Sequence, residues 1–156
     1  MIYTGVRIDE LLSLKKENIH LEEHYFDVIK SKTENGIRKV PISDYIYPFI
    51  ENWYHSSKCE YLLHTEEDKR FKYRNYYDSY FLPLMIQLGF DQTPHCCRHT
   101  CISLLAEAEV SPTYQKMIGG HKGAMSLTEK IYTHIDIKLL INAVNSIYYP
   151  KSIKNK

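Results

Sequence analysis

Residues 95–100 read His95-Cys-Cys-Arg98-His-Thr, and this stretch constrains the fold more than any other. Thr93 is a good helix cap and Pro94 suits a first helical turn, so the spacing predicts a helix that begins here. His95 and Arg98 stand three residues apart and project from one face of such a helix. A guanidinium offers a planar fork of donors that suits two phosphate oxygens. The pattern therefore indicates an anion site near the start of this helix.

A second imidazole and a phenol follow downstream. The first helix is expected to end near residue 110, after which the Ser-Pro pair at residues 111–112 begins a second short helix. Two glycines at residues 119–120 end it. His121 then emerges from a tight turn, and Tyr132 lies near the end of a further helix over residues 124–133. Together these groups suit a phosphate clamp with a nucleophile beside it.

Each of these features has an ordinary explanation when it is taken alone. A His-x-x-Arg pair is most often a surface or packing pair, and a Gly-His pair after a helix is usually a cap. The chain has 14 tyrosines, so any one of them is more often a packing residue than a nucleophile. The order of the three features along one segment is harder to obtain by chance, and it favours a catalytic site.

Composition places the chain among ordinary globular proteins. It has 156 residues, enough for one domain with a real core, and 44% of them are hydrophobic. No apolar run is long enough to span a membrane and no signal peptide is recognised, so we expect no membrane association and a cytoplasmic location. The net charge of +1 does not by itself indicate a nucleic-acid binder, but a one-sided distribution of charge can still attract a polyanion.

The cysteines follow neither a disulfide nor a zinc-binding pattern. They are Cys59, Cys96, Cys97 and Cys101. Their spacing does not suit a disulfide framework, and we expect reduced thiols. No Cys-x-x-Cys pair exists to make a zinc knuckle, so we predict neither a metal site nor a cofactor. A zinc site that combines some of these thiols with His95 and His99 is the alternative.

The start of the chain carries a second arginine. Residues 7–16 read as a helix, on which Arg7 and Glu10 lie three residues apart. A solvent-exposed ion pair is the ordinary explanation, and such pairs are weak. Alternatively, Glu10 holds Arg7 toward a phosphate. This segment alone favours the ordinary ion pair.

A β-hairpin is predicted next. Residues 24–30 alternate as a strand, Asn35-Gly36 is a strong turn signal, and residues 37–40 form the return strand. If those two residues are the turn, Lys32 lies opposite Lys39. Facing like charges are destabilising unless an anion lies between them, so the pattern suits a polyanion ligand. A solvated hairpin with lysines on an edge strand is the alternative.

The rest of the chain is mainly helical, which predicts an α+β fold with a small antiparallel sheet. The predicted segments are a helix over 44–57 with Tyr47, Ile50 and Trp53 buried, a short strand over 61–63, a tyrosine-rich helix over 73–88 ended by Gly89, and a last helix from Asp136. Basic residues on the hairpin and beside the tyrosines are candidate phosphate contacts, although a solvated charged surface is an equal alternative. They are Lys30, Arg38, Lys39, Arg70, Lys72 and Arg74.

Taken in order, these motifs resemble the catalytic domain of the tyrosine recombinases, the phage integrase family. The resemblance covers nearly the whole chain, and all six catalytic residue types occur in the family's order. It implies the fold of the DNA breaking-rejoining enzymes and site-specific DNA recombination or integration. The matching segments are residues 4–12 for the first arginine box, 32–33 and 38–41 for the hairpin, 95–100 for the second box, and 120–121 with 132–134 for the third.

The resemblance implies the roles of the groups at the phosphate. Tyr132 attacks a DNA phosphodiester and forms a 3′-phosphotyrosine bond. Arg7 and Arg98 hold the non-bridging oxygens and offset charge in the transition state. His121 donates a further hydrogen bond there.

Proton transfer and orientation fall to the other matching residues. Lys32 protonates the 5′-oxygen as it leaves, with Lys30 and Lys39 as alternatives. His95 assists proton transfer at the nucleophile or the phosphate. Glu10 orients Arg7. The six basic residues named above become candidate DNA contacts.

Organisation and partners are also implied by the resemblance. It assigns residues 1–156 to a C-terminal catalytic domain that lacks its extreme N-terminal helices and the preceding core-binding domain. It implies double-stranded DNA as a partner and a homotetramer on DNA through the C-terminal helix, with contacts from Val144, Ile147 and Tyr148. Because half of the DNA clamp would be absent, we expect the isolated chain to bind DNA weakly and to recombine poorly.

Two other functions remain open. A type IB topoisomerase shares the chemistry but relaxes supercoils without exchanging partners, and the short hairpin and the late helix after Tyr132 favour a recombinase over it. The other alternative is a non-catalytic DNA-binding remnant of an integrase. A covalent adduct with nicked DNA would separate the enzyme from the remnant.

Overall fold

The computed structural model describes residues 1–30, 36–120 and 136–148, which form a small antiparallel sheet and a larger helical part. The helices are α1 (Ile8–Leu12), α2 (Tyr47–His55), α3 (Tyr73–Tyr76), α4 (Leu82–Leu88), α5 (Pro94–Glu107), α6 (Pro112–Gly119) and α7 (Ile137–Asn145). The strands are β1 (Ile19–His20), β2 (Tyr25–Val28) and β3 (Arg38–Pro41), in the order β1-β2-β3. A 3₁₀ turn spans Lys16–Asn18, and a π-helical turn, Tyr77–Phe81, joins α3 to α4. The predicted α+β class, mainly helical with a small antiparallel sheet, is confirmed.

The strand register differs from the predicted one. Val28 pairs with Arg38, and Asp27 pairs with Lys39. Lys39 therefore does not face Lys32, and that prediction is wrong. A turn at Asn35-Gly36 would pair Lys39 with residue 32, whereas the observed partner of Lys39 is Asp27. The Lys39 ammonium donates to the Tyr25 hydroxyl at 3.1 Å and lies 4.2 Å from that ring's centroid. The described partners of Lys39 therefore attract its charge and give no reason for an anion beside it.

The third strand of the sheet is also not where the sequence predicted it. Residues 61–63 form no strand, and Tyr61 makes an isolated bridge to Lys15. The third strand is β1, which pairs antiparallel with β2. Two residues are too short to produce the alternation on which strand prediction depends.

Helix ends follow local capping chemistry. The helix predicted to reach residue 16 ends at Leu12, where the Ser13 hydroxyl donates to the Asp9 carbonyl at 2.6 Å. The predicted start of α6 is confirmed, since the Ser111 hydroxyl accepts from the Tyr114 amide. Gly120 ends α6 at φ +61° and Gly89 ends α4 at φ +71°, a left-handed conformation that favours glycine.

The buried side of α2 was predicted only in part. Tyr47, Ile50 and Tyr54 recur at helical spacing and pack against the sheet. Trp53 is 38% exposed, so its predicted burial is wrong. It lies beside that stripe, with its ring edge-on to His64.

Buried side chains of the described residues form two clusters that meet near the start of the chain. The sheet cluster contains Val6, Leu14, Ile19, Phe26, Val28, Val40, Ile42 and Leu62. The helical cluster contains Cys101, Leu105, Ile118, Leu140, Ala143, Val144 and Ile147. Gly5, next to Val6, lies against the second cluster, because a Cβ there would come within 3.4 Å of the Cys101 sulfur. Residues 5–7 thus lie at the seam between the two clusters.

The last helix packs within its own chain. Asp136 caps α7 by accepting from the Lys138 amide at 3.0 Å, as the sequence predicted. Val144 and Ile147 are 0% and 2% exposed in the helical cluster. In this chain they contact their own helical cluster, whereas Tyr148 is 77% exposed. The contact of all three with a neighbouring protomer stays a prediction.

Within the described ranges, no helix combines the length and the apolar character that a membrane span requires. The cytoplasmic location expected from the sequence stays a prediction.

The helical cluster makes a direct test of the fold possible. Leu105→Ala is expected to lower the free energy of unfolding by about 3 kcal/mol, because it empties a core position that is 0% exposed. Leu139→Ala on α7 removes the same atoms from a side chain that is 44% exposed, and the expected loss is below about 1 kcal/mol. Urea unfolding measures both. Equal losses would contradict the core assignment.

Candidate active site

Arg7 and Glu10 form one side of the site. Arg7 caps α1, and Glu10 lies in the first turn of the same helix. Oε2 of Glu10 accepts from the Arg7 backbone amide at 2.9 Å, and Oε1 accepts from Nη1 of Arg7 at 2.8 Å. The Glu10 side chain is 4% exposed, whereas that of Arg7 is 32% exposed. The solvent-exposed pair favoured from this segment alone is therefore wrong, because the carboxylate is buried beneath the guanidinium.

Arg98 forms the opposite side, near the start of α5. The residue is 3% exposed, and its Nη1 donates to the Gly5 carbonyl at 2.6 Å. Its Nη2 is buried and has no hydrogen-bond partner among the described residues. A buried N–H group without an acceptor costs about 1–3 kcal/mol, which a ligand oxygen would recover. The side chain is thus held in place with a donor left over.

Arg38, at the start of β3, completes the centre of the site. Its Nε donates to the Ile118 carbonyl at 2.9 Å, and its Nη1 donates to the Gly36 carbonyl at 2.7 Å. Nη1 and Nη2 also reach the Glu10 carboxylate, at 3.4 and 3.1 Å. The sequence indicated Arg38 as a candidate DNA contact and not as part of the catalytic centre. The available signal was alternation along β3, because Arg38 shares a strand face with the fully buried Val40.

The glycine turn after α6 packs directly on these arginines. Nη2 of Arg7 donates to the Gly120 carbonyl at 3.3 Å. A Cβ on Gly120 would lie 2.9 Å from Nη1 of Arg38, closer than real Cβ contacts come. Gly120 therefore has two reasons to be glycine: its backbone is left-handed, and the Arg38 side chain leaves no room for a Cβ. The turn is fixed next to the guanidinium groups, one residue before His121.

The site carries an excess of positive charge. Three guanidinium groups, those of Arg7, Arg38 and Arg98, surround the single carboxylate of Glu10. Burial, followed by the charges of Arg7 and Arg38, lowers the pKa of Arg98 to about 10. Burial also lowers the pKa of Arg38, and the charge of Arg7 acts in the same direction. The arginines nevertheless stay charged near neutral pH, so the arrangement favours a bound anion.

The carboxylate is stabilised in its charged form. Burial is the largest influence on the pKa of Glu10 and by itself would raise it. The hydrogen bonds and charge of Arg38, with the hydrogen bonds of Arg7, outweigh burial and hold the pKa below its ordinary value. Glu10 therefore acts as a fixed anion to which the arginines are attached.

The structure brings together only part of the predicted catalytic set. Arg7, Glu10 and Arg98 meet as described, and His95 lies exposed on α5 with its ring 4.6 Å from that of His99. Lys32, His121 and Tyr132 lie outside the described residues, so their predicted roles stay predictions. The same holds for the choice between Lys32 and Lys30.

The predicted DNA contacts divide by exposure. Arg38 has an 8% exposed side chain that is bonded to protein acceptors. The others, Lys30, Lys39, Arg70, Lys72 and Arg74, are exposed. Arg70 donates to the Leu12 carbonyl at 3.1 Å, and Arg74 donates to Asp78 at 2.6 Å. A surface role stays a prediction for all six.

The cysteines near the site have different surroundings. Cys101 is 0% exposed, and burial raises the pKa of its thiol to about 11, so it packs as a small neutral side chain. Hydrogen bonds from Thr93 lower the pKa of the Cys96 thiol. Across the described ranges, no three His, Cys, Asp or Glu side chains are grouped so as to hold a metal ion.

Comparison with known proteins identifies the family. The profile described as the phage integrase family matches residues 1–138. This chain belongs to the phage integrase family. Tyrosine recombinase XerA from Saccharolobus solfataricus is 30% identical to it over 147 residues. The aligned region covers 91% of this chain and 46% of that protein.

Solved structures of other proteins share the fold of this chain. The crystal structure of XerA recombinase matches with a TM-score of 0.69 and 25% identity, over 89% of this chain and 52% of that one. The Tn1549 transposon integrase in complex with circular intermediate DNA matches with a TM-score of 0.66 and 21% identity, over 88% and 54%. The chain therefore spans about half the length of the relatives it matches.

Glu10 is the residue whose loss should most disturb the arrangement of charges in the site. Glu10→Gln is expected to lower the free energy of unfolding by about 3 kcal/mol at neutral pH, because it leaves buried guanidinium charge without its partner. Since the folded-state pKa of Glu10 is lowered, its stabilisation is present above the ordinary carboxyl pKa and is lost as pH falls through the folded value. The difference between wild type and variant should therefore shrink in acid.

Urea unfolding across a pH series measures this difference. Glu60→Gln is the matched control, because Glu60 pairs with Lys15 at 2.8 Å but its side chain is 59% exposed. Its substitution should change stability far less. A difference for Glu10→Gln that grew as pH fell would contradict the assigned direction of the pKa shift.

Proposed function

We propose that this chain cleaves and rejoins DNA strands in site-specific recombination, through a covalent 3′-phosphotyrosine intermediate. One observation carries the proposal: Arg7 and Arg98, from distant parts of the chain, lie close enough to influence each other's charge, and Nη2 of Arg98 is buried with no acceptor among the described residues. Membership of the phage integrase family supports the reaction type. The Tn1549 integrase was solved with DNA, which supports double-stranded DNA as the partner.

The arginines fit the electrostatic demand of the reaction. A phosphodiester resists attack because its oxygens repel a nucleophile, and fixed cations aimed at those oxygens supply most of the help. The Arg7 side chain is 32% exposed, and Arg98 keeps its Nη2 group without a partner among the described residues. These two residues would hold the non-bridging oxygens. Because the protein fixes both side chains beforehand, little reorganisation is needed when the substrate binds.

The proposed reaction proceeds by exchange of one phosphoester bond for another. The phenolic oxygen of Tyr132 bonds to phosphorus as the bond from phosphorus to the 5′-oxygen breaks. The phenol loses its proton with help from His95, and Lys32 gives a proton to the 5′-oxygen. His121 adds a donor at the phosphate. The covalent intermediate keeps the bond energy for rejoining, so ATP is not required. The arginines, the lysine and the imidazoles would supply the positive charge for which other enzymes use a metal.

The excess positive charge also serves the nucleophile. A tyrosine phenol has an ordinary pKa of about 10 and is mostly neutral at pH 7. A phenolate near the guanidinium groups of Arg7 and Arg98 is stabilised by their charge. The same cluster would therefore assist both the attacking oxygen and the phosphate.

The exposed basic residues would bind the DNA backbone around the cleaved phosphate. Lys72 and Arg74 lie exposed at the start of α3, beside the exposed ring of Tyr73. Lys30 and Lys39 extend the basic surface on the hairpin. Such contacts supply affinity and salt dependence without reading sequence.

A homotetramer on DNA belongs to the same proposal. Tyr148 is the exposed residue of the predicted contact set, since Val144 and Ile147 are buried within their own chain. Coupling through this region would let one protomer influence the active site of the next.

Cleavage is tested by trapping. Incubation with a nicked duplex, which loses a short strand after cleavage, should give a covalent protein–DNA adduct with the wild-type chain. Tyr132→Phe should give none, because it removes the attacking oxygen. Arg98→Lys should reduce the rate at least about 100-fold, because an ammonium cannot reproduce the planar fork. Denaturing gels that separate free from DNA-linked protein measure the adduct.

Two results would decide against the proposal. Intact DNA binding without any adduct would indicate a binding remnant. Supercoil relaxation by a strictly monomeric form would indicate a topoisomerase. An adduct that persisted in Tyr132→Phe would assign the nucleophile to a different residue.

Salt dependence tests the basic surface. Lys72→Gln is expected to weaken binding about equally for different DNA sequences and to reduce the slope of log affinity against log salt by about 1. Lys58→Gln, an equal loss of charge at an exposed site in the loop that follows α2, should change neither. Fluorescence anisotropy with labelled duplexes at low salt measures both. An unchanged slope for Lys72→Gln would remove that residue from the DNA surface.

A further inference from the structure

Arg38 uses its hydrogen-bonding capacity almost entirely within the protein. A guanidinium has five N–H donors. Four bonds from Arg38 go to protein acceptors: the Ile118 carbonyl, the Gly36 carbonyl and both oxygens of Glu10. Its side chain is 8% exposed. This geometry differs from that of a residue that reaches out to a DNA phosphate.

The contrast with the neighbouring arginines is clear. Arg7 is 32% exposed and makes one bond to Glu10 and one longer bond to Gly120 from its guanidinium. Arg98 donates once to Gly5 and keeps Nη2 without a partner among the described residues. Arg7 and Arg98 therefore keep N–H groups that a ligand could use, whereas Arg38 donates most of its N–H groups to protein acceptors.

Arg38 also joins the segments that lead to the remaining predicted catalytic residues. Gly36 is the first described residue after the segment that contains Lys32, and it is tied to Arg38 Nη1 at 2.7 Å. Ile118 and Gly120 precede His121, and both touch the Arg38 guanidinium. The third attachment is Glu10, which holds Arg7. One side chain thus links the first arginine box, the hairpin and the glycine turn.

We infer that Arg38 is a positioning residue for the proposed cleavage reaction, which holds Glu10 and, through Glu10, the Arg7 guanidinium in the orientation that the phosphate needs. The inference rests on the proposed function. It replaces a DNA-backbone contact as the role of Arg38. Without Arg38, Glu10 loses two of its hydrogen bonds. The carboxylate that holds the Arg7 guanidinium is then no longer fixed in position.

The test separates the rate of cleavage from DNA binding. In single-turnover trapping at saturating nicked DNA, Arg38→Gln is expected to lower the cleavage rate constant about 30-fold, as expected when a reacting group is displaced by a fraction of an ångström. The DNA dissociation constant should stay within about threefold of wild type, because Arg38 has no role in phosphate contact. Arg38→Lys should recover part of the rate. Lys58→Gln, which removes an exposed charge, should match wild type in both measurements.

A double variant tests the route through Glu10. If Arg38 acts by holding Glu10, Arg38→Gln combined with Glu10→Gln should be no more than about threefold slower than the slower single variant, whereas independent effects would multiply. This variant also removes both partners of a buried pair, so neither charge is left alone if Arg38→Gln folds poorly. Circular dichroism and thermal melting establish that each protein is folded.

The pH dependence gives a readout that a purely structural role would not move. Glu10 is faced by Arg7 from its own helix, by Arg38 from β3 and by Arg98 from α5, where Cys101 also interacts with the two buried arginines. Loss of Arg38 removes an influence that lowers the pKa of Glu10. In Arg38→Gln, the part of the acid limb that Glu10 contributes to the cleavage rate should therefore move to higher pH, and Glu10→Gln should remove that part while leaving any contribution of His95.

The outcomes are distinct. A slower rate with unchanged binding, a moved acid limb and a non-additive double variant support the positioning role. Weaker binding with an unchanged rate constant would overturn it in favour of a DNA contact. If wild type and Arg38→Gln form adducts at the same rate, this inference alone fails. If wild type forms no adduct, the proposed function fails and the inference with it.

Discussion

The attraction between the Glu10 carboxylate and the surrounding guanidinium groups is the interaction on which the rest of the site depends. Three like charges do not gather in a partly buried space without a counter-charge. Glu10 supplies it and forms directed bonds to Arg7 and Arg38, which limits the positions of both. Arg98, bonded to the Gly5 carbonyl, approaches from the other side. The result is a fixed cationic centre in which, as far as the structure describes the chain, the Nη2 group of Arg98 remains a buried donor without an acceptor.

The location of this centre follows from the packing of the chain. The sheet cluster and the helical cluster meet at residues 5–7, so a short segment places Gly5 against Cys101 and Arg7 beside Gly120. Arg38 comes from the sheet and Arg98 from a helix of the other cluster. The site therefore requires both clusters to be formed and correctly docked. Burial that stabilises the fold also keeps the arginines in place.

The sequence predicted the chemistry of the site better than its connections. Arg98 could be recognised because capping signals and helical spacing are local and depend on a few neighbouring residues. Arg7 and Glu10 could be assigned to the site only through the resemblance to the family, since their own segment favoured an ordinary ion pair. The role of Arg38 was missed because its partners, Glu10 and Ile118, are far away in sequence and no local pattern links them. The strand register failed for a similar reason: the turn signal at Asn35-Gly36 does not determine which residues pair, and β1 is too short to give a pattern. The burial of α7 within its own chain is likewise a property of tertiary packing.

The Nη2 group of Arg98, which has no partner within the described ranges, has a consequence for how such a protein can evolve. The empty chain keeps a buried donor that would be more stable if it were bonded or absent. Substitutions that filled this position with an apolar side chain would favour the empty chain and remove the means of holding a phosphate. A change at this single atom that raised the stability of the folded chain would therefore lower its activity. A lineage that no longer needed the reaction would be expected to lose this arginine early, while the surrounding core remained.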